Sequence, residues 1–258
     1  MILRRLSQSL KAQDWLAIII EFVLLVVGVF LGIQVANWNA DRETNQKAEI
    51  FSMHLKADLR QEAFGCQCLI EYNRDVLASA EKAVNALNGK APTSNEVLLI
   101  NAYRATNYKQ PQRYRATYDE LISTGNIVLI KDENLRSVAM RIYNVESMDN
   151  MVREGAQSRL REAFRMNIDN DVQAALEKQC GDHFVKRGDY KAILDVIDYP
   201  CTLDFPQKDI DQAAETLRNN PLIASYLRVR IADIKTRLND MTGNSRDILQ
   251  GLNEFAQN

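Results

Sequence analysis

Two hydrophobic patterns divide the chain. From Leu16 to Ala36 every residue is apolar or glycine except Glu21 and Gln34, whereas beyond Asp41 apolar residues recur at steps of three and four. As a helix the first run is roughly 31 Å long, the thickness of a bilayer's hydrocarbon core. Trp15 and Trp38 bracket it where amphipathic rings favour the headgroup level. The run exceeds the apolar stretch of a cleaved signal peptide, about 7–15 residues. The triplets Gln34-Val35-Ala36 and Trp38-Asn39-Ala40 also put a large residue where cleavage wants a small one. A single retained transmembrane helix is predicted over 15–38.

The second pattern predicts helices almost throughout. One runs from Asp41 to about Ala63, with Phe51, Leu55 and Leu59 down one side, until Gly65 interrupts it beside Cys66-Gln67-Cys68. Another runs from Ile70 to Leu87 and stops at Asn88-Gly89. Thr93-Ser94-Asn95-Glu96 reads as a capping box opening a third, and a fourth spans Tyr118 to Thr124. Asp132 reads as the N-cap of a long helix reaching toward Lys178, bent near Gly155. From Cys180 to Lys208 the pattern dissolves, apart from a short helix near Lys191–Ile197. Pro221 then opens a last element. There Ala224, Leu227, Ile231, Ile234, Leu238, Met241, Ser245, Ile248, Leu252 and Phe255 form a heptad seam with one polar interruption. Packing of that seam against the helix leaving the membrane is expected, with an intermolecular coiled coil as the alternative. The fold class is all-α: one N-terminal transmembrane helix, then a helical bundle ending in a long coiled-coil-like helix.

Composition agrees, since 10 glycines and 5 prolines are too few for a turn-rich β fold. A net charge of −2 removes the electrostatic ground for nucleic-acid binding. Arg4, Arg5 and Lys11 precede the span and only Arg42 and Lys47 follow closely, so residues 1–14 read as a cytoplasmic tail and 39–258 as the exterior domain. All four cysteines (Cys66, Cys68, Cys180, Cys201) follow the span, which suits an oxidising compartment. Two disulfides are expected. Residues two apart on a helix point about 200° apart, so links between the 66/68 pair and the 180/201 region are favoured, with the pairing open. Zinc held by Cys66, Cys68, Cys180 and His183 is the competing reading.

Within the span, Glu21, Leu25, Gly28, Gly32 and Val35 share a face at 4-3-4-3 spacing. Gly28-x-x-x-Gly32 lets two helix backbones approach closely, so this is the expected packing face. Glu21 is an intramembrane carboxylate, protonated, snorkelling or bonded across a dimer in one reading and ion-coupling in another. Outside, Tyr103, Arg104, Tyr108, Lys109, Arg113, Tyr114, Arg115 and Tyr118 concentrate four cations and four tyrosines with no acid before Asp119. Arginine and tyrosine anchor interfaces, so this strip is the expected partner-binding surface; a connection whose tyrosines cap the core is the alternative. Motifs for phosphate cradling, nucleophilic serine or zinc hydrolysis are missing, and no catalytic residue, metal or cofactor is assigned.

Gln13-Asp14-Trp15, the stretch from Val26 to Val35, Asn37-Trp38-Asn39 and the later stretch from Thr117 to Asn126 resemble a domain-of-unknown-function family of bacterial membrane proteins. The resemblance implies an inner-membrane protein with one N-terminal span and a helical periplasmic part, and it supplies no activity. With the catalytic motifs missing from the sequence, the expected function is a non-enzymatic, membrane-anchored scaffold or accessory subunit. Its expected partners are the lipid bilayer and either a second copy or other membrane proteins, with an anionic envelope component as a further candidate. An ion-coupled energy-transducing subunit using Glu21 and a periplasmic enzyme without a recognisable motif are the alternatives.

Overall fold

The computed structural model describes residues 15–197 and 199–257. The tail at 1–14, with Arg4, Arg5 and Lys11, lies outside the described residues. The architecture is all-α, with no strand among them. Helix α1, Trp15–Leu87, runs unbroken from the apolar segment into the domain, a rod of about 110 Å. Its first part is long and apolar enough to cross a membrane, and its side chains there face outward.

From Leu55 onward α1 becomes the central post of the bundle, and Leu55, Leu59, Leu69, Val76 and Ala80 are buried. The predicted break at Gly65 is absent. A glycine costs a helix only about 1 kcal/mol relative to alanine. Its neighbours Phe64, Cys66, Cys68 and Leu69 are all buried, each regaining a comparable amount or more.

Shorter helices wrap the post: α2 (Asn95–Ala105), α3 (Ala116–Ser123), α4 (Glu133–Asn144), α5 (Ser147–Ala156), α6 (Arg159–Asn167), α7 (Asn170–Cys180), α8 (Ala192–Ile197), α9 (Gln207–Asn219), α10 (Pro221–Asn239) and α11 (Arg246–Gln257). The N-cap of α2 is Ser94, whose Oγ accepts from the Val97 amide at 3.2 Å. Glu96 does not close a capping box; it accepts from the Leu203 amide at 2.7 Å. Asp132 does cap α4, accepting from Leu135.

The single helix expected from Asp132 toward Lys178 is instead four, α4 to α7. The breaks let the chain move between two cores. Met148 and Met151 join a core on the part of α1 nearer the apolar segment, with Leu55, Leu59, Leu121 and Leu252. Leu160, Phe164 and Leu176 enter a distal core with Ala80, Leu99 and Leu217. One straight helix cannot serve both.

The C-terminal seam packs within the chain, as expected. Leu227, Ile234, Met241, Ile248 and Leu252 are buried. Ile234 meets Tyr72 and Val76, while Arg60 donates to the Phe255 carbonyl at 3.1 Å, so α10 and α11 run antiparallel to α1. A π-helical turn at Asp240–Asn244 divides them and ends at the polar interruption, Ser245. Helix α9 lay in a stretch with no sequence assignment.

Candidate functional site

The strip from Tyr103 to Tyr118 forms a strap lying across α1. Asp58 and Glu62, four residues apart on α1, hold it: Asp58 accepts from the Thr117 amide at 3.1 Å and Glu62 from the Tyr114 amide at 3.0 Å. Arg113 donates to Glu62 at 2.6 Å and to Asp149 of α5 at 2.9 and 3.0 Å. Glu62 is only 1% exposed and Arg113 17%, so this ion pair is largely inside the protein. Burial works against the Arg113 charge, but Glu62 and Asp149 outweigh it and hold the guanidinium above its usual range.

The other members of the strip are also engaged. Arg104 donates to the Tyr199 carbonyl at 2.9 Å and lies over that residue's ring. Lys109 sits 5.4 Å over the Tyr72 ring. Tyr108 lies under Arg161, and Tyr103 packs against Phe164. Tyr118 is buried against Tyr143, whose hydroxyl donates to the Tyr114 carbonyl. Arg115 pairs with Asp119 at 2.9 Å on the surface. The strip is therefore a structural strap held by contacts within the chain, with Lys109, Arg113, Tyr114 and Arg115 still half-exposed along it. Its neutralising acids, Glu62 and Asp149, are supplied from outside the segment, and a local charge count cannot see them.

Sequence reasoning also missed Arg230, which is buried and donates to the Asn107 carbonyl at 3.0 Å. Burial lowers its pKa, partly offset by the Asp233 carboxylate. Gly155 permits this packing, because a Cβ there would lie 2.6 Å from the Tyr108 Cβ and 3.2 Å from an Arg230 nitrogen.

The cysteines depart from expectation. Cys180 is bonded to Cys201, with Cα atoms 5.5 Å apart, and Cys66 and Cys68 are buried free thiols. The links expected between the two regions do not form. Cys66 points into the core with Leu55 and Leu59 and Cys68 into a separate cluster with Phe64 and Ile193. Burial, reinforced by Glu62, pushes the Cys66 thiol up to about 12, and burial also raises Cys68. The zinc set is not assembled either, because Cys180 is in the disulfide and His183 stacks on Tyr199 at 3.9 Å. Among the described residues no group of three or more metal-ligating side chains stands together.

In the span, Glu21, Leu25, Gly28, Gly32 and Val35 lie on α1 as the spacing requires. A Cβ on Gly28 or Gly32 would meet nothing within 4 Å, and Leu25 and Val35 are exposed. This face is open within the single chain.

Residues 21–172 match a family described as a family of unknown function, DUF6090. The chain belongs to that family. No curated protein and no solved structure matches it. The DUF6090 match takes in the span-facing residues from Glu21, the strap, and both acids that hold it. The disulfide and the helices α9 to α11 lie beyond it.

Proposed function

We propose that this DUF6090 protein is a non-enzymatic scaffold or accessory subunit of a bacterial inner-membrane assembly, with its N-terminus cytoplasmic and its helical domain periplasmic. It self-associates, or joins other membrane proteins, through the Gly28/Gly32 face of the span, and its helical domain binds a partner. The reading is carried by α1. One continuous helix is both the apolar segment and the central post of the domain, so an association made in the bilayer is passed on as a fixed position and orientation of the domain. Small-residue faces of this kind bring membrane helices together through backbone approach. The disulfide between Cys180 and Cys201 is consistent with an oxidising exterior.

The test is purification in mild detergent with in-membrane cross-linking, comparing wild type with a Gly28→Leu/Gly32→Leu variant. The expected result is a defined oligomer or a stoichiometric partner that the double variant loses. A reporter active only in the periplasm, fused after Asn258, is expected to be active. A monomer without partners, or an inactive reporter, overturns the reading.

A further inference from the structure

Between α1, the strap and the loop closed by the Cys180–Cys201 disulfide lies a cleft of about 210 Å3. Phe64, Leu69, Pro111, Val185 and the Cys68 side chain form its walls, and Phe184 beside them is 86% exposed. Two cations, Lys109 and Arg187, line the cleft and no acid does. Arg187 is exposed, lies 5.0 Å over the Tyr114 ring and donates to Gln112 at 3.0 Å. The neighbouring carboxylates are engaged elsewhere, Glu62 with Arg113 and Asp182 with the Tyr72 hydroxyl. Gln61 also lines the cleft, and its side-chain oxygen is buried without a hydrogen-bond partner. Such an acceptor is costly to leave unmet.

We propose that this cleft binds the C-terminal residue of a partner polypeptide, a large apolar residue carrying its free carboxylate. The inference rests on the scaffold reading and deepens it by naming the chemistry of the partner. The volume lies below the roughly 300 Å3 at which small-molecule pockets begin, and suits one large side chain. Each remaining feature answers one group of such a terminus. The apolar walls take the side chain, Lys109 and Arg187 supply charge for the carboxylate, and Gln61, turning its unpartnered oxygen into the cleft, accepts from the last peptide N–H. Terminal carboxylates are a recurrent recognition element. A fatty-acid anion would satisfy the walls and the cations but brings no N–H to Gln61.

The experiment uses the full chain in lipid nanodiscs and a fluorescent hexapeptide ending in phenylalanine, read by anisotropy. Saturable binding is expected. Amidating the terminus, or replacing the last residue by glycine, is expected to weaken it about tenfold or more, the effect of losing one charge-assisted contact or one buried side chain. Arg187→Ala and Phe184→Ala change exposed side chains and should weaken binding with an unchanged melt. Gly65→Leu should abolish it, because a Cβ at Gly65 lies 3.7 Å from the Pro111 Cβ and a longer side chain fills the cleft. Peptide binding should also slow alkylation of Cys68. Absent binding, equal binding of the amidated peptide, or displacement by decanoate at lower concentration than by free peptide overturns the proposal, the last in favour of an amphiphile. If cross-linked partners persist in Arg187→Ala while the peptide does not bind wild type, this assignment fails and the scaffold reading stands.

Discussion

Glu62 shows how much depends on one side chain. It is buried, and it joins α1 to the strap through both the Arg113 guanidinium and the Tyr114 amide. Removing one partner of a buried pair leaves the other charge uncompensated, a loss of about 3–5 kcal/mol. Arg113→Ala and Glu62→Ala should each cost about that much in urea denaturation. Arg115→Ala, whose partner Asp119 is exposed, should cost under about 1 kcal/mol. Titration gives a second expectation. The folded state holds Cys66 up at about 12 against an ordinary value near 9, and burial also raises Cys68 and Tyr72. Above pH 9 the unfolded chain gives up protons that the folded chain keeps, so stability present below pH 9 is lost as pH rises toward 12. For Cys66 alone the slope is about 1.4 kcal/mol per pH unit across that window. Melts should be insensitive to this thiol at pH 7–8 and decline above 9, and Cys66→Ala should remove part of the slope.

At the scale of elements, glycines in helices can be sorted by what a methyl group would meet. Gly65 has room, with its first neighbour at 3.7 Å, so Gly65→Ala should be neutral or stabilise by up to about 1 kcal/mol through helix propensity. Gly155 has none, and Gly155→Ala should destabilise by about 1–3 kcal/mol as α5 is pushed off Tyr108 and Arg230. Paired thermal melts check both signs. The disulfide joins residues 21 apart, and Cys180→Ser/Cys201→Ser should lose about 3 kcal/mol on the chain-entropy account. Elements whose signals are local were legible in the sequence: the apolar run, the Asp132 cap, Pro221 at the start of α10 and the buried seam. Two departures have one origin. Local pattern predicts a break at Gly65 and a bend at Gly155 inside one long helix, and it does not reveal which core a turn of helix will meet. Gly65 lies in the middle of a post buried on several sides, whereas the chain around Gly155 has to cross from one core to the other. Helix α9 went unassigned although Ile210, Ala213, Ala214 and Leu217 are spaced as a helix face.

At the scale of the whole molecule, the composition of the candidate site is legible in the sequence and its packing is not. The tyrosines and arginines stand where the strip placed them, and only the tertiary fold brings Glu62 and Asp149 to Arg113. A carboxylate four residues from another on α1, beside buried Leu55 and Leu59, was the available signal. The alignment of Glu21, Leu25, Gly28, Gly32 and Val35 on one face, by contrast, follows from helical geometry alone, and Gly28 and Gly32 carry nothing within reach. The unbroken α1 has a mechanical consequence. Between Trp38 and Leu55 it acts as a drive shaft, and each residue turns the domain about 100° and lifts it 1.5 Å relative to the span. Phase, more than distance, is then what the segment transmits. Inserting two residues between Asp41 and Asn45 would turn the domain by about 200°, away from any neighbour aligned by the glycine face. Inserting seven would return it to within about 20° while raising it by about 10 Å. Cross-links between neighbouring domains should vanish with the two-residue insertion and reappear with seven. A flexible coupling would instead show the same cross-links at every length.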